Sequence, residues 1–457
     1  MKTQNKQWIS LISIGLIMVI CQGCKKYLEA KPNKNLTTAE SLIDLQSLMD
    51  DYQRLNIQSV YAGEVSSDDY YVTETDLQSV TKEGDRRMYT WSKDLIFEPT
   101  SNSWQHCYLA IYYGNTVLEQ LEKIDRNNQN ASTWDNLYGQ AVYYKGANLL
   151  NAAFTWAKAY DASTASGDLG LPIRSSTDFN EQTTRSNLEE TYRKALSDLK
   201  VAVAKLPTRQ ISIIRPSKAA AYAMLSRAYL SMNQYESAGA YADSALQINS
   251  KLIDYNTISA SATNPFPQFN AEVYHHWSMG NATILAQSRA KIVPALYAQY
   301  SADDLRKTIF FKQNAGGTYA FKGNYSGSTA LFSGPAIDEM YLNRAESYAR
   351  TGKVANGLKD LNSLLLNRWN KNKTYVPLTA MNTEEAISLI LRERRKELLM
   401  RGLRWLDLKR LNKMGANITL ERELGNNRFT LLPNDNRYAL AIPEYVIQLS
   451  GIPQNPR

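Results

Sequence analysis

Residues 219–246 read AAAYAMLSRAYLSMNQYESAGAYADSAL, and their spacing predicts two short helices folded back on each other. Large residues recur at helical spacing in the first half and small residues in the second, at Tyr222, Leu225, Tyr229, Ala238, Ala242 and Ala245. Small residues let the two helices approach closely, while the larger ones fill the seam between them. The pattern is typical of a tetratricopeptide repeat.

Two further stretches carry related spacing. Residues 338–365, DEMYLNRAESYARTGKVANGLKDLNSLL, repeat both halves, and residues 186–207, SNLEETYRKALSDLKVAVAKLP, repeat the second half. The copies are not in tandem, because 119 positions separate Ala238 from Gly357. We therefore predict a mainly α-helical single domain of tetratricopeptide-like helix pairs, interrupted by long irregular insertions.

The insertions themselves show little regular periodicity. Residues 306–324, RKTIFFKQNAGGTYAFKGN, place aromatic residues on both sides of two glycines and predict a minor β-hairpin. Residues 56–103 and the chain beyond residue 412 show no sustained period, so we expect irregular structure there. Before the first of these, Thr37 or Thr38 is the predicted N-cap of a helix.

The amino terminus has the features of a secretory signal. Lys2 and Lys6 precede an apolar segment of thirteen residues, 8–20, which is too short to cross a bilayer comfortably. Gly23 and Cys24 follow and resemble a bacterial lipobox, in which the cysteine is acylated after cleavage. We predict a signal peptide over 1–23 and lipidation at Cys24; the alternative is an ordinary cleaved signal with an incidental cysteine.

The polar stretch after the cysteine predicts a lipid-anchored tether over 24–35, followed by a binding domain over 36–457. The formal net charge is +8, and removal of the two signal lysines lowers it to +6. The basic residues are interspersed with acidic ones, which argues against nucleic acid as a partner. No apolar run near 18 residues follows the signal, so membrane attachment would depend on the lipid.

Six segments of the chain can be compared together with known families. They are the lipobox with KKYLEAKPN, WQHCYLAIYYGN, TTRSNLEETYRKALSDLKVAVAKLP, YLNRAESYARTGK, ERRKELLMRGLRWLDLKR and the ending IPEYVIQLSGIPQNP. Taken together they resemble the SusD/RagB family of nutrient-binding outer-membrane lipoproteins. Each segment alone is a weak match to the family, but all six occur in the family's order and extend over essentially the whole chain. Cys21, where a lipobox usually has an aliphatic residue, and Lys25 and Lys26, where an acidic export signal is expected, depart from the pattern.

The resemblance implies tetratricopeptide-like pairs on one side and an irregular ligand-binding side on the other. It implies a lipid-anchored protein on the outer face of the outer membrane that partners a TonB-dependent (SusC-like) transporter. Such proteins capture oligosaccharides or, in some cases, peptides and perform no chemistry on them. We accordingly expect no enzyme activity and neither a cofactor nor a metal.

A sugar ring exposes an apolar face of C–H bonds, so its binding needs a flat aromatic platform flanked by hydrogen-bonding groups. Loop aromatic residues and their acidic neighbours are therefore the ligand-binding candidates. They are Asp68, Asp69, Tyr70, Tyr71, Trp91, Tyr274, Trp277, Tyr319, Phe321 and Tyr325. For each residue the alternative is a half-buried loop anchor.

Two other functions remain open. The chain could be a helical-repeat scaffold that binds only protein, or a glycoside hydrolase using Glu393 and Glu397, which lie four apart on one helix face. The surrounding arginines would hold both acids ionised, which favours a structural ion-pair lattice with the segment GLRWLDLKR instead. His275 and His276 are adjacent and tend to point apart, so they predict no catalytic or metal site.

Overall fold

The computed structural model describes residues 40–457, and helices supply most of the regular structure in this range. The helices in chain order are α1 (Leu42–Met49), α2 (Tyr52–Leu55), α3 (Ala62–Ser66), α4 (Glu74–Gln78), α5 (Glu83–Tyr89), α6 (Ser103–Leu121), α7 (Ala131–Trp156), α8 (Leu188–Lys205), α9 (Lys218–Ser231), α10 (Tyr235–Ile248), α11 (Pro294–Tyr297), α12 (Arg306–Ile309), α13 (Ile337–Arg350), α14 (Val354–Leu366), α15 (Thr383–Glu397), α16 (Arg404–Lys413) and α17 (Glu444–Ser450). The predicted signal peptide, Cys24 and the tether lie outside the described residues and stay predictions.

The strands are short and form two-stranded antiparallel sheets, β1 with β4, β2 with β3, β5 with β6 and β7 with β8. Their bounds are β1 (Tyr70–Tyr71), β2 (Leu169–Pro172), β3 (Arg185–Asn187), β4 (Lys291–Ile292), β5 (Phe311–Gln313), β6 (Tyr319–Phe321), β7 (Leu420–Leu424) and β8 (Asn427–Leu431). The β5–β6 pair turns at Gly316 and Gly317, whose φ angles are positive. The predicted β-hairpin is confirmed.

The long helices form a continuous array in which each packs on the next, in the order α6, α7, α8, α9, α10, α13, α14 and α15. Helix α10 packs directly against α13, although the insertion 249–336 separates them in sequence. The insertion therefore leaves the array after one helix pair and returns at the start of the next. This arrangement confirms the predicted mainly α-helical fold of tetratricopeptide-like pairs.

Small residues determine how closely these helices approach. A Cβ atom on Gly239 would lie 2.9 Å from Cβ of Ser347 on α13, and one on Gly357 would lie 2.7 Å from the carbonyl oxygen of Ala345. Both distances are shorter than carbon contacts tolerate. A larger side chain at either position would force the two helices apart.

Three local expectations were wrong. Residues 56–103 contain α3, α4, α5 and β1, and the chain beyond residue 412 contains the β7–β8 hairpin and α17. Helix α1 is capped by Ser41, whose hydroxyl accepts from the Asp44 amide, and not by Thr37 or Thr38. No helix of residues 40–457 combines the length and apolar content needed to cross a bilayer.

Candidate ligand-binding site

A concave pocket of about 710 Å³ lies where the insertion 249–336 meets the segment that follows α1. Nineteen residues line it: Tyr52, Ile57, Gln268, His276, Ser278, Met279, Gly280, Asn281, Ala282, Leu285, Ala286, Gln287, Ser288, Ser326, Gly327, Ser328, Thr329, Ala330 and Leu331. Its size is in the range of pockets that hold small organic ligands.

The backbone around residues 276–280 holds one wall of the pocket in place. The Ser278 amide donates to the carbonyl oxygen of Asn56 at 2.7 Å, and the Met279 amide donates to that of Leu331 at 2.8 Å. This wall therefore lies between two other segments of the chain and bonds to both. The side chains that project from this wall into the pocket therefore start from a backbone that is held by hydrogen bonds on both sides.

An aromatic corner lies at one end of the pocket, where Tyr52 and His276 belong to the lining and Phe269 directly follows the lining residue Gln268. The rings of Tyr52 and His276 stack with centroids 5.9 Å apart, and Phe269 meets His276 edge-on at 4.9 Å. Phe269 is 43% exposed and has a φ of 60°, in the left-handed region that L-residues rarely adopt. An exposed aromatic ring held in a costly backbone conformation beside a pocket is a typical feature of a binding site.

Hydrogen bonds join His276 to the neighbouring side chains of the corner. The Gln268 amide donates to the Tyr52 hydroxyl at 2.8 Å, and this hydroxyl lies 3.2 Å from Nε2 of His276, within hydrogen-bond distance. Burial lowers the pKa of His276 to about 4, so the ring is neutral at physiological pH.

Polar atoms at the pocket lack protein partners. His276 Nδ1 and Gln287 Nε2 are buried and have no hydrogen-bond partner among the described residues. Leaving such a group unsatisfied costs about 1–3 kcal/mol. A hydroxyl-bearing ligand that reached them would recover part of that cost, with exposed Asn281, Ser288, Ser328 and Thr329 supplying further polar groups at the rim.

None of the ten sequence-predicted ligand residues lines this pocket. The two predicted tryptophan platforms, Trp91 and Trp277, are 3% and 1% exposed. Their indole N–H groups donate to the carbonyl oxygens of Ser66 and Leu55 at 3.0 and 2.7 Å. Both rings therefore anchor loops to the core, which is the alternative that the sequence left open.

The acidic candidates are held in ion pairs. Arg404 pairs with Asp68 at 2.6 Å and Arg395 pairs with Asp69 at 2.8 Å. Burial acts to raise the pKa of Asp68, but the two arginines outweigh it and hold that pKa at about 2. These carboxylates connect β1 with α15 and α16.

The remaining aromatic candidates are mostly buried. Tyr70, Tyr274, Phe321 and Tyr325 are between 1% and 5% exposed. Tyr71 and Tyr319 keep partial exposure, and Tyr319 stacks on Tyr297 with centroids 3.7 Å apart. As ligand contacts all these residues stay a prediction. Sequence reasoning missed Tyr52, Gln268, Phe269 and Gln287, and it considered His276 only for a catalytic or metal site, which it rejected.

The carboxyl pair on α15 is part of a buried ion-pair network. Arg306 donates to Glu393 at 2.7 Å and to Glu397 at 2.9 Å. Burial acts to raise the pKa of Glu393, but Arg306 and Lys396 outweigh it and keep that pKa below its usual value. A glycosidase acid needs a raised pKa, so this arrangement does not suit hydrolysis.

The predicted lattice between α15 and α16 is confirmed. Arg394 on α15 pairs with Asp407 on α16 at 2.8 Å, and Arg410 pairs with Asp407 at the same distance. Arg410 also donates to both oxygens of Glu346 on α13. The charged residues of this segment therefore join three helices.

A second concave surface, of about 600 Å³, lies between α6, the β2–β3 loop and α17. Its Phe179 stacks on Tyr112 at 5.4 Å and is 84% exposed. Two of its polar side chains are already engaged within the protein, because Arg174 donates to the loop carbonyl of Asp178 and Thr177 donates to Glu119. We call this surface the apolar groove.

Several solved structures from the genus Bacteroides are similar to this chain in fold. A SusD superfamily protein from Bacteroides thetaiotaomicron VPI-5482 matches with a TM-score of 0.73 and 20% identity, over 91% of this chain and 100% of that chain. A SusD superfamily protein from Bacteroides vulgatus ATCC 8482 matches with a TM-score of 0.72 and 18% identity, over 91% of this chain and 99% of that chain. A laminarin-binding SusD-like protein matches with a TM-score of 0.64 and 16% identity, over 90% of this chain and 97% of that chain. A search of curated proteins finds no match.

The fold places the chain among helical-repeat proteins whose tetratricopeptide-like pairs carry long insertions. Two family models match it: one described as starch-binding associating with outer membrane, over residues 26–230, and one described as SusD family, over residues 337–438. Together they extend over about two thirds of the sequence. The chain belongs to the SusD/RagB family.

Proposed function

We propose that this protein binds an oligosaccharide in the pocket around His276 and passes it to a transporter without changing it chemically. The observation that carries the proposal is the pocket itself, in which amide and hydroxyl side chains surround an aromatic corner. Aromatic faces suit the C–H surface of a sugar ring, and amides and hydroxyls suit its hydroxyl groups. Family membership and a laminarin-binding protein of the same fold support this choice over a peptide.

The proposal includes a location and a partner. Lipid on Cys24 would anchor residues 24–35 as a tether at the outer membrane, and the domain 36–457 would face outward and close over a TonB-dependent transporter. The family description, which places its members with the outer membrane, supports this location. Mass spectrometry of the native amino-terminal peptide tests the anchor: a diacyl or triacyl mass on Cys24 is expected, and an unmodified cysteine would contradict it. Whole-cell protease accessibility tests the orientation, and co-purification from the native membrane tests the partner.

Isothermal titration calorimetry of residues 25–457 against a panel of oligosaccharides and peptides tests binding. Phe269→Ala should weaken binding of any glycan that the wild type binds, because it removes the exposed ring of the corner. Phe179→Ala is the matched control, since it also removes an exposed phenylalanine but lies in the other concave surface. Equal affinity of Phe269→Ala and the wild type would refute the placement of the site.

Absence of chemistry is tested by following product release from labelled oligosaccharides. We expect none, because Arg306 and Lys396 keep Glu393 ionised. Release that disappears in Glu393→Gln would revive the hydrolase alternative.

A second candidate function is protein binding through the apolar groove. The strongly exposed Phe179 on an internally bonded loop favours it, since interface centres are rich in aromatic residues and poor in unpaired charge. If Phe179→Ser releases a co-purifying protein while glycan binding persists, the groove is a protein interface. The two functions could then occur on separate surfaces of one chain.

A further inference from the structure

We infer that the pocket around His276 is built for a neutral glycan and discriminates against glycans that carry carboxylate or sulfate groups. This inference rests on the proposed function and adds the chemical class of the ligand. It follows from the absence of charge in the lining, the neutrality of the one histidine there and the positions of two neighbouring cations outside the lining.

Charge is absent from the pocket lining. None of its nineteen described residues is aspartate, glutamate, lysine or arginine, although such residues make up 21% of the chain. A random sample of that size would contain about four. The lining nevertheless supplies many neutral hydrogen-bonding groups, from Gln268, Ser278, Asn281, Gln287, Ser288, Ser326, Ser328 and Thr329. It is therefore polar and uncharged.

The histidine in the lining does not add a charge. His276 is packed among Tyr52, Phe269, Phe332 and Ser278, none of which is ionised at neutral pH. Its other titratable neighbour is His275, which is fully buried between Tyr143 and Trp277 and donates or accepts only within the core. An anionic ligand would find no positive partner at this ring.

Two cationic side chains lie beside the lining without belonging to it, and both bond to uncharged groups. Lys82 donates to the backbone carbonyl of Asn281 at 3.2 Å, and Arg289 donates to that of Thr283 at 3.2 Å and to the Ser79 hydroxyl at 2.8 Å. An anionic group bound against the lining would lose water without an opposite charge among the residues that line the pocket. Burial of an unpaired charge is strongly unfavourable, whereas a hydroxyl loses little when an amide replaces its water.

The test compares one glycan before and after a change of charge. A neutral glucan oligosaccharide that the protein binds is oxidised at C6, which converts the primary hydroxyls to carboxylates on the same backbone. Calorimetry of residues 25–457 should show at least a tenfold loss of affinity for the oxidised form. Affinity for the neutral form should change less than twofold between 50 and 500 mM NaCl, because no ion pair contributes.

A gain-of-function variant makes the test independent of folding. Ser288 is exposed in the lining, so Ser288→Lys should raise affinity for the oxidised glycan at least fivefold and make its binding salt-sensitive. Ile211→Lys, at an exposed position outside the pocket, is the control and should change nothing. Wild-type protein that binds the oxidised form as tightly as the neutral form overturns the inference while the proposed function stands. Failure to bind any glycan in the panel overturns both.

Discussion

The hydroxyl of Tyr52 bonds to Nε2 of His276 at 3.2 Å, across 224 positions of sequence. This bond joins the segment after α1 to the long insertion, and the Gln268 amide extends it by donating to the same hydroxyl. The pocket is thus assembled by polar contacts between distant segments. Its geometry should depend on this hydroxyl.

We predict that Tyr52→Phe weakens glycan binding about fivefold to tenfold and lowers the free energy of unfolding by about 1–2 kcal/mol, because Gln268 and His276 each lose a partner. Calorimetry and urea denaturation measure the two effects. Tyr138→Phe is the control, since the Tyr138 hydroxyl has no hydrogen-bond partner among the described residues and should be dispensable. Wild-type affinity in Tyr52→Phe would show that the hydroxyl does not shape the site.

Phe269→Gly should separate function from stability. Glycine adopts a φ of 60° without strain, but the substitution also removes the contact with His276. Because these effects oppose each other, we expect the free energy of unfolding to change by less than about 1 kcal/mol. Glycan affinity should fall at least fivefold, since the exposed ring is lost.

Leu95→Gly is the matched control for that variant. Leu95 is also exposed, at 56%, and also has a positive φ, of 50°, but it lies outside the pocket. Its replacement should raise stability by about 0.5–1 kcal/mol and leave binding unchanged. A comparable loss of affinity in both variants would mean that the effect is not local to the corner.

The helical array could be predicted from sequence because its signal is local. The spacing of Tyr222, Leu225 and Ala238 fixes one helix pair within 28 residues, and the same spacing identifies the pair at 338–365. The N-cap residue of a helix is harder to predict from sequence, because several residues near the start of the helix can act as the cap. The capping box of α8 is formed by Asn187 and Glu190, although Ser186 and Glu189, one position earlier, have the same spacing and residue types that also suit a capping box.

The pocket could not be predicted in the same way. Contact between Tyr52, Gln268 and His276 forms only when separate segments fold together. No spacing pattern within either segment predicts this contact. The sequence around a loop tryptophan such as Trp277 does not reveal whether its ring is exposed to solvent or buried. In the structure the ring is buried and its N–H donates to the carbonyl oxygen of Leu55, so it packs in the core.

Comparison of wild type with His276→Gln should reveal a pH-dependent difference in stability. The pKa of His276 is lowered to about 4 by burial, against about 6.5 for an ordinary histidine. Between these values the unfolded chain binds a proton that the folded chain does not, so this histidine costs stability as the pH falls. The wild type should therefore lose up to about 1.4 kcal/mol per pH unit more than the variant from pH 6.5 to 4.

The comparison is needed because other groups titrate in the same range. Burial raises the pKa of Glu64 to about 8 and that of Asp85 to about 6, and these groups favour the folded state as the pH falls. Both are present in wild type and variant, so they cancel in the difference. Parallel curves of unfolding free energy against pH would contradict a neutral, buried His276.

Arg306→Ala should destabilise the protein far more than removal of an arginine at the surface. Arg306 is 1% exposed and pairs with Asp304, Glu393 and Glu397, so its removal leaves buried carboxylates without their main partner. Breaking a buried pair in this way costs about 3–5 kcal/mol. Arg126→Ala removes an arginine that is 47% exposed and pairs with Asp135 at the surface, which should cost less than about 1 kcal/mol. Urea denaturation at pH 7 measures both, and similar losses in the two variants would show that the buried network contributes no more than a surface pair.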